Sequence, residues 1–339
     1  MSGKPNHSTD FGPDEAKRRT VSAALISWYD ENARDLPWRR TRDPWRVLIS
    51  EVMLQQIQVK RAIPFYKSFL ARFPTPRALA DVPVAEAIRA WGDLGRYKRV
   101  VNLHRTARIL VEEFGGEIPS NPEVLVKLPG IGPYTAGAVA CFAFEKDTAF
   151  MDTNARRVLH RLFLGPEVPE PFATEGELLR LAETLVPRGR GWRWGQSVIE
   201  FGAIQCTARK PLCESCPLSY LCAARPTIWG ALTSLPRAAK SNYRYEGSNR
   251  YYRGRVLAVL RETSEESIPL QELGTILHED FGREDLPRLY HVVESLERDG
   301  LVKITFTEDC PRAVAEERAA YENERSDGSS YATTRVGLP

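Results

Sequence analysis

Several features that would place the chain in a special class are missing from its 339 residues. No apolar run approaches the roughly 18 residues that a transmembrane helix requires, so we expect no membrane partner. The N-terminus is polar and lacks the apolar stretch of a signal peptide, so we expect no secretion. No internal repeat is evident. The 42% apolar and 27% charged residues lie near the globular average, which excludes a fibrous or wholly disordered chain.

Charge is unevenly distributed, although the net value is only +3. The segment from Pro187 to Arg261 carries 13 Lys and Arg residues against three acidic residues, a local net charge of +10. The segment from Glu308 to the end carries seven acidic residues against four Arg, a net charge of −3. A basic segment in a nearly neutral chain suggests a polyanionic partner such as nucleic acid, although for a charge bias alone a solvated face is the favoured interpretation.

The spacing of apolar residues predicts a mostly helical chain with several parts. Three- and four-residue spacing recurs from residue 21 to about residue 225, interrupted by Pro and Gly. Three further helical stretches and an alternating strand (LVKITFTE) follow and indicate a small winged helix. The expected parts are a disordered tail (1–20), a helical core (21–225), a linker (226–248), a winged-helix-like module (249–307) and a flexible tail (308–339).

The segment LPGIGPYTAG, residues 128–137, has the composition of a tight turn between two helices. Gly130 and Gly132 allow the turn and expose backbone N–H groups at the start of the next helix. Those amides and the helix dipole favour a phosphate. The segment therefore predicts a helix–hairpin–helix that grips the DNA backbone without reading sequence, unless it is an ordinary interhelical turn.

An aspartate, Asp152, follows the hairpin at the predicted start of another helix (DTNARRVLHR). An Asp in that position is usually an N-cap, which is the plain structural interpretation. A carboxylate close to a DNA-binding hairpin has a second interpretation as a catalytic group.

Four of the six cysteines lie within residues 206–222: Cys206, Cys213, Cys216 and Cys222. Without a secretion signal, disulfides are not expected. Four thiolates can surround one zinc ion or one [4Fe–4S] cluster. Structural zinc sites usually pair two short Cys-containing units, whereas the gaps here contain six, two and five residues. The spacing favours the cluster over zinc.

The hairpin, Asp152 and the cysteine set occur in the order found in helix–hairpin–helix DNA glycosylases related to endonuclease III, which the chain resembles over roughly residues 21–225. LPWRRTRDPWRVLISEVMLQQIQV and LGRYKRVVNLH are similar to the A/G-mismatch adenine glycosylases. The resemblance implies an all-α fold with a six-helix barrel (about 35–140). It also implies a [4Fe–4S] cluster domain, residues 21–34 plus 141–225, with the active cleft between the two.

The same resemblance assigns roles to individual residues. Glu51 matches the catalytic acid, Asp152 the catalytic carboxylate, Asn154 its hydrogen-bonding neighbour and Tyr134 the active-site tyrosine, which we expect to support Asp152. Lyase-type relatives have a Schiff-base lysine at the tyrosine position, so we expect a monofunctional enzyme. The expected DNA contacts are made by Gln56, Arg96, Gly130, Gly132 and Thr135.

These assignments predict how the glycosidic bond of a mismatched adenine is cleaved. Glu51, kept partly protonated in an apolar pocket, protonates adenine N7, while an ionised Asp152 stabilises the cation that develops on the deoxyribose. The base has to leave the duplex first. The expected substrate is double-stranded DNA with a mismatch, and the expected enzyme is a monomer in the cytoplasm, associated with a prokaryotic nucleoid.

Two positions and one domain depart from the adenine glycosylase pattern. Ile57 stands where the pattern usually has Thr, Arg96 stands where it usually has Tyr, and the usual Nudix-like C-terminal reader of 8-oxoguanine is not recognisable. These departures predict normal excision chemistry and altered reading of the opposite base. LAETLVPRG and FGAIQC also resemble G/T-mismatch thymine glycosylases, which leaves a G/T or G/U enzyme as one alternative. A non-catalytic iron–sulfur DNA-binding regulator is the other.

Overall fold

The computed structural model describes residues 15–235, 244–306, 331 and 333–339. Helices make up most of this part of the chain. In chain order they are α1 (Glu15–Asn32), α2 (Pro44–Leu54), α3 (Val59–Arg72), α4 (Pro76–Ala80), α5 (Val84–Trp91), α6 (Lys98–Phe114), α7 (Pro122–Leu125), α8 (Pro133–Phe144), α9 (Thr153–Phe163), α10 (Glu175–Leu185), α11 (Gly191–Glu200), α12 (Ile228–Thr233), α13 (Asn249–Glu262), α14 (Leu270–Leu277) and α15 (Leu286–Arg298). The strands are β1 (Ile268–Pro269), β2 (Lys303–Phe306) and β3 (Thr334–Gly337).

The chain divides into two compact units. The first unit consists of Met1–Val52 and Ile118–Ser241, and the second unit consists of Met53–Glu117 and Asn242–Pro339. The segment expected to form the six-helix barrel, 35–140, contributes to both units. The expected domain boundaries therefore stay a prediction.

The first unit is built around α11, which packs against α1, α8 and α9. Apolar residues from α1, α9, α10 and α11 share one core that Cys206, Cys216 and Cys222 also contact. Local caps define the helix starts. Thr174 and Glu177 form a reciprocal capping box on α10, and the Asn121 side chain accepts the N–H of Glu123 on α7. After α11 the chain makes a π-helical turn, Phe201–Gln205, that leads into the cysteine loop.

The second unit combines α3–α6 with the C-terminal module, which we define as residues 249–306 and 333–339. Helices α13, α14 and α15 pack against one another. Their sheet has the order β1-β3-β2, with both pairings antiparallel. Val336, in the central strand, pairs with Ile268 and Ile304 and is fully buried. The strand expected in LVKITFTE is confirmed as β2.

Three segments expected to lack structure contain regular elements. Helix α1 begins at Glu15, ahead of the expected tail boundary, because its buried side chains on the core anchor the whole helix. The expected linker contains α12, with Ile228 buried at its start. The expected C-terminal tail supplies β3, since its backbone completes the sheet between β1 and β2. Residues 1–14, 236–243, 307–330 and 332 lie outside the described part of the chain.

Candidate active site

A buried carboxyl group lies at the centre of the candidate site. Glu51, on α2, is only 6% exposed, and its Oε2 accepts a hydrogen bond of 2.9 Å from the hydroxyl of Tyr134 on α8. Burial raises the pKa of Glu51 to about 7, the Tyr134 hydrogen bond and Arg39 lower it, and the negative charge of Asp152 raises it further. Glu51 can therefore hold a proton near neutral pH, as an acid catalyst requires.

Asp152 is held at the start of α9 by two hydrogen bonds. Its Oδ1 accepts the backbone N–H of Ala155 at 2.6 Å, and its Oδ2 accepts Nδ2 of Asn154 at 2.7 Å. Burial raises the pKa of Asp152 above its usual value, and the hydrogen bonds from Ala155 and Asn154 offset only part of that rise. The N-cap interpretation is correct for Asp152, and the cap bond together with the Asn154 bond fixes both carboxylate oxygens in place.

Tyr134 supports Glu51 and not Asp152, which corrects the expectation from the sequence. Its ring packs edge-on against Phe150, with 5.7 Å between the ring centroids, and its hydroxyl donates to Glu51. Burial, together with the charges of Glu51 and Asp152, raises the pKa of Tyr134 well above 10. Tyr134 therefore stays protonated and remains a hydrogen-bond donor.

Arg157 orients the amide beside Asp152, a role that the sequence did not predict. Its Nη2 donates to Oδ1 of Asn154 at 2.8 Å, which leaves the Asn154 amino group facing Asp152. The same guanidinium donates to the Gly202 carbonyl at 2.6 Å and the Cys206 carbonyl at 2.7 Å. The only sequence signal is an Arg three residues after Asn154 on one helix, a spacing that places both on the same face.

A buried ion network in the first unit, which no sequence pattern indicated, contains Arg39, whose charge acts on Glu51. Glu200 is fully buried and forms ion pairs with Arg34 at 2.7 Å and Arg39 at 2.8 Å. Burial raises the pKa of Glu200, but hydrogen bonds from the two arginines prevail and hold it at about 2. Arg39, in the LPWRR segment, also donates to Gln196 at 2.8 Å. The network places a fixed positive charge near Glu51.

The predicted hairpin is present between α7 and α8. Gly130 has φ +77°, a left-handed conformation that favours glycine. Gly132 caps α8 with φ −89°, so the turn itself does not require glycine there, contrary to expectation. A Cβ at Gly132 would meet no atom within 4 Å, so the backbone is open to an external group. Thr135 is 2% exposed, and its expected DNA contact stays a prediction.

Gln56 and Arg96 belong to the second unit. Both are exposed, and both have left-handed backbone conformations, with φ values of +58° and +52°. This conformation costs a residue that has a side chain roughly 1–2 kcal/mol. Strained residues of this kind are concentrated at binding sites and active sites.

Arg99, three residues after Arg96, has a buried Nη1 atom without a hydrogen-bond partner. Burial and the charge of Arg96 lower its pKa to about 10. These positive charges make the surface around Arg96 suited to an anion.

The four clustered cysteines line one pocket whose remaining walls are largely apolar. Among the described residues, no three His, Cys, Asp or Glu side chains converge closely enough to hold a single metal ion. Four thiolates around one pocket are the donor set that a [4Fe–4S] cluster takes. Arg161 lies in the same wall, 3.6 Å from Sγ of Cys206, and offsets thiolate charge.

Comparison with known proteins agrees with this geometry. Residues 49–184 match the HhH-GPD superfamily of base excision DNA repair proteins, and residues 206–222 match the iron–sulfur binding domain of endonuclease III. The adenine DNA glycosylase of Mycolicibacterium smegmatis is 39% identical over 282 residues, which cover 83% of this chain and 92% of that protein. The chain belongs to the adenine DNA glycosylase family.

Solved structures of the same superfamily confirm the fold. A thermostable thymine-DNA glycosylase is 33% identical, with a TM-score of 0.59, and the match covers 62% of this chain and 98% of that one. Endonuclease III in a trapped covalent complex with DNA is 24% identical, with a TM-score of 0.56, over 64% of this chain and 99% of that one. The second likeness supports the fold alone.

Family membership confirms the fold class, the DNA glycosylase activity, DNA as a binding partner and the [4Fe–4S] cluster expected from the sequence. When bound, the cluster would be held by Cys206, Cys213, Cys216 and Cys222. None of the helices within the described residues is long and apolar enough to span a bilayer.

Proposed function

We propose that this member of the adenine DNA glycosylase family hydrolyses the N-glycosidic bond of an adenine mispaired with guanine or 8-oxoguanine in duplex DNA. The supporting observation is the pair of unlike carboxyl groups in the first unit. Glu51 is buried, has a pKa of about 7 and interacts electrostatically with Asp152. Glycoside cleavage uses two carboxyl groups in this way, one as an acid and one as an anion.

In the proposed mechanism, Glu51 donates its proton to N7 of the departing adenine. Protonation neutralises the charge that the base takes with it, and a group with a pKa near 7 does this effectively at neutral pH. The Tyr134 hydrogen bond holds the carboxyl group and stabilises the carboxylate that remains. Return of the proton from solvent readies Glu51 for another turnover.

Asp152 acts on the sugar. As a carboxylate it stabilises the positive charge that develops on the deoxyribose, or binds the sugar transiently, until water completes hydrolysis. Its place at the N-terminus of α9 favours the ionised form, because the helix dipole is positive there. Asn154 and Arg157 hold it in this orientation through consecutive hydrogen bonds.

We further propose that the enzyme is monofunctional. The hairpin helix carries Tyr134 where lyase-type relatives carry their Schiff-base lysine, and the hydroxyl of Tyr134 is already donated to Glu51. The product is then an intact strand with an abasic site. Sodium borohydride tests this directly, because a lyase would be trapped covalently on DNA and a monofunctional enzyme would not.

We propose that this enzyme distinguishes 8-oxoguanine from guanine, as the base opposite adenine, less strictly than enzymes with the usual family pattern. Ile57 has no hydrogen-bonding group, and Arg96 has five donors but no acceptor. Arg96 therefore suits the acceptor edge of guanine or a phosphate, and it has no acceptor for the N7–H of 8-oxoguanine. One lost base contact changes preference by about 10- to 100-fold. We expect a correspondingly weaker preference for A·8-oxoG over A·G.

A second candidate is excision of thymine or uracil from G·T or G·U pairs. The 33% identity to a solved thymine-DNA glycosylase supports it. The EVMLQQ context of Glu51 supports the adenine reaction more strongly. We also propose that the enzyme acts as a monomer in the cytoplasm, on nucleoid DNA, and size-exclusion chromatography tests the oligomeric state.

The deciding experiment measures base release from A·8-oxoG, A·G, G·T and G·U duplexes under single-turnover conditions. Each reaction is analysed with and without hot alkali, at one fixed salt concentration because DNA affinity depends steeply on salt. Alkali-dependent nicking of the adenine strand supports the proposal. Release of thymine or uracil alone supports the second candidate, and no release from any duplex supports a non-catalytic regulator. The Glu51→Gln variant, matched with exposed Glu183→Gln, separates enzymatic release from contamination.

A further inference from the structure

The loop between α5 and α6, residues 92–97, carries Arg96 and is called here the Arg96 loop. Its backbone is held from within the second unit. The indole N–H of Trp91 donates to the Gly95 carbonyl at 2.9 Å, and Arg61 donates to the Asp93 carbonyl at 2.6 Å. Gly92 has φ +62°, and a Cβ there would lie 2.8 Å from the ring of Phe65. The loop therefore has a defined conformation before DNA is present.

The C-terminal module contacts the loop and the residue that follows it. The guanidinium of Arg261, on α13, lies 5.6 Å from the ring centroid of Tyr97. Asp299, just after α15, lies 3.4 Å from Nζ of Lys98 and accepts a hydrogen bond of 2.6 Å from Arg253. These contacts secure Tyr97 and Lys98, which follow Arg96 directly, while the Arg96 side chain stays exposed.

The module also contacts both helices that flank the loop. The carbonyl oxygen of Pro339, beyond β3, accepts the backbone N–H of Ala85 in the first turn of α5 at 3.0 Å. Gly300 approaches α6, where a Cβ on Gly300 would lie 3.3 Å from Nη2 of Arg105. The module thus spans the helix before the Arg96 loop and the helix after it.

The charges of the module do not fit a general DNA-binding surface. On α13, Arg253 donates to Ser295 and Asp299, Arg255 donates to the Tyr251 hydroxyl and Arg261 donates to the Leu257 carbonyl. On α15, where a winged helix would read DNA, the carboxylate of Glu294 lies 3.9 Å from the guanidinium of Arg298 and adds a negative charge. Much of the basic excess seen in the sequence of α13 is therefore engaged within the protein.

We propose that the C-terminal module positions the Arg96 loop for reading the opposite base, with Arg261 and Asp299 as the positioning residues. The inference rests on the proposed function, because it assigns Arg96 to the base opposite adenine. Removing these contacts leaves the catalytic groups of the first unit unchanged and loosens the conformation from which Arg96 meets guanine. The loss then falls on discrimination between opposite bases.

The test compares the full-length double variant Arg261→Ala, Asp299→Ala with wild type. Arg298→Ala is the matched control, since that exposed side chain belongs to the same module and has only a 3.9 Å contact with Glu294. Hydrogen–deuterium exchange of peptides covering residues 92–101 reports on the loop, where the amides of Arg99, Val100 and Val101 bond to its last two carbonyls. Excision rates from A·G and A·C duplexes, below the Kd, report on discrimination. The salt dependence of DNA binding reports on phosphate contacts.

We expect faster exchange of the loop, a fall of about 3- to 10-fold in the A·G to A·C ratio and an unchanged salt slope. An exposed cation–π contact or ion pair has an effect of this order. Arg261→Lys with Asp299 intact should restore most of the ratio, because it keeps a cation over Tyr97. The control should match wild type in all three measurements.

Three results would overturn the proposal: unchanged loop exchange, faster exchange with an unchanged ratio, or a salt slope reduced by about one. The last would assign Arg261 to a DNA phosphate instead. If wild type releases no adenine from any duplex, the proposed function fails. Loop exchange then still shows whether the module holds the loop.

Discussion

The two compact units differ in whether they bury charged side chains. Among the described residues, the Asp, Glu, Lys and Arg side chains that are buried all belong to the first unit: Glu51, Arg161 and Glu200. The second unit keeps its charged residues at least partly exposed, and two of them, Arg96 and Arg99, lie close together without a carboxylate bonded to either. Burial of charge is costly unless it is paired, and the buried Glu51 is therefore the reason that we propose the first unit as the catalytic part.

A second contrast, within the first unit, separates the carboxyl group that we propose to be catalytic from a structural one. Glu200 bonds to two arginines, which hold its pKa at about 2, whereas Glu51 accepts a hydrogen bond from a neutral tyrosine and has a pKa of about 7. Both groups are buried to a similar degree. The partner therefore decides whether a buried glutamate holds the fold together or carries a proton.

The largest effect is expected from Glu51→Gln. The amide cannot donate a proton to adenine, so the excision rate should fall by roughly 10²- to 10⁴-fold, while the Kd for DNA stays close to that of wild type. Single-turnover excision and equilibrium binding on the same A·G duplex measure the two quantities. A rate within a factor of ten of wild type would remove Glu51 from the mechanism.

The same substitution should stabilise the protein at high pH. The folded pKa of Glu51 lies above its usual value of 4.5, so wild type loses stability as pH rises from 4.5 to about 7. Above that range the buried, ionised Glu51 lowers the free energy of unfolding by ~3 kcal/mol. The Gln variant has no such charge and keeps that stability. Urea unfolding at pH 8 should show the gain, and at pH 4.5 it should be largely absent. An equal gain at both pH values would contradict the proton linkage.

Glu200→Gln should destabilise the protein, which is the opposite of the effect expected for Glu51→Gln at high pH. It leaves Arg34 and Arg39 without their anion, and breaking a buried pair costs about 3–5 kcal/mol. The folded pKa of Glu200 is lowered, so the wild-type contribution is present above pH 4.5 and is lost as pH falls toward 2. Urea unfolding at pH 7 measures the loss. If Glu51→Gln and Glu200→Gln changed the free energy of unfolding in the same direction, the contrast between the two glutamates would be wrong.

Tyr134→Phe should have a smaller effect, visible in the pH profile. The hydroxyl lowers the pKa of Glu51 through its hydrogen bond, so removing it raises that pKa further. One hydrogen bond is worth about 0.5–1.5 kcal/mol, which moves the descending limb of the excision rate upward by up to about one pH unit. Single-turnover rates from pH 5 to pH 9 locate the limb. A limb that moves downward would show that the tyrosine does not act on Glu51.

The smallest effect concerns backbone strain. Gln56, Arg96 and Glu145 all have positive φ, so replacement of each by Gly should stabilise the fold by ~1 kcal/mol. Glu145 ends α8 in the first unit and is the matched control. Only the Gln56 and Arg96 variants should also lose DNA affinity or discrimination, measured by binding and by the A·G to A·C ratio. If the Glu145 variant lost as much DNA affinity or discrimination, the change in backbone strain, and not a lost DNA contact, would be the cause.

The sequence by itself determined the features that depend on neighbours along the chain. Cap residues such as Asp152 act on amides three positions away, and four cysteines within one short loop leave few arrangements other than a shared cluster. The helices follow from apolar spacing for the same local reason. Family motifs also predicted Glu51 and Tyr134 as site residues, but they did not predict which carboxyl group the tyrosine hydroxyl contacts.

Only the tertiary structure decided the contacts between distant segments. Tyr134 reaches Glu51 across 83 positions, Arg157 reaches Cys206 across 49, and Arg34 reaches Glu200 across 166. Residues expected to be a tail form the central strand β3, because pairing needs two other strands that no local pattern specifies. Side-chain directions and strand partners follow from how the helices pack on a common core. The free energy of that packing comes from contacts between residues that are distant in the sequence, so no local pattern specifies it.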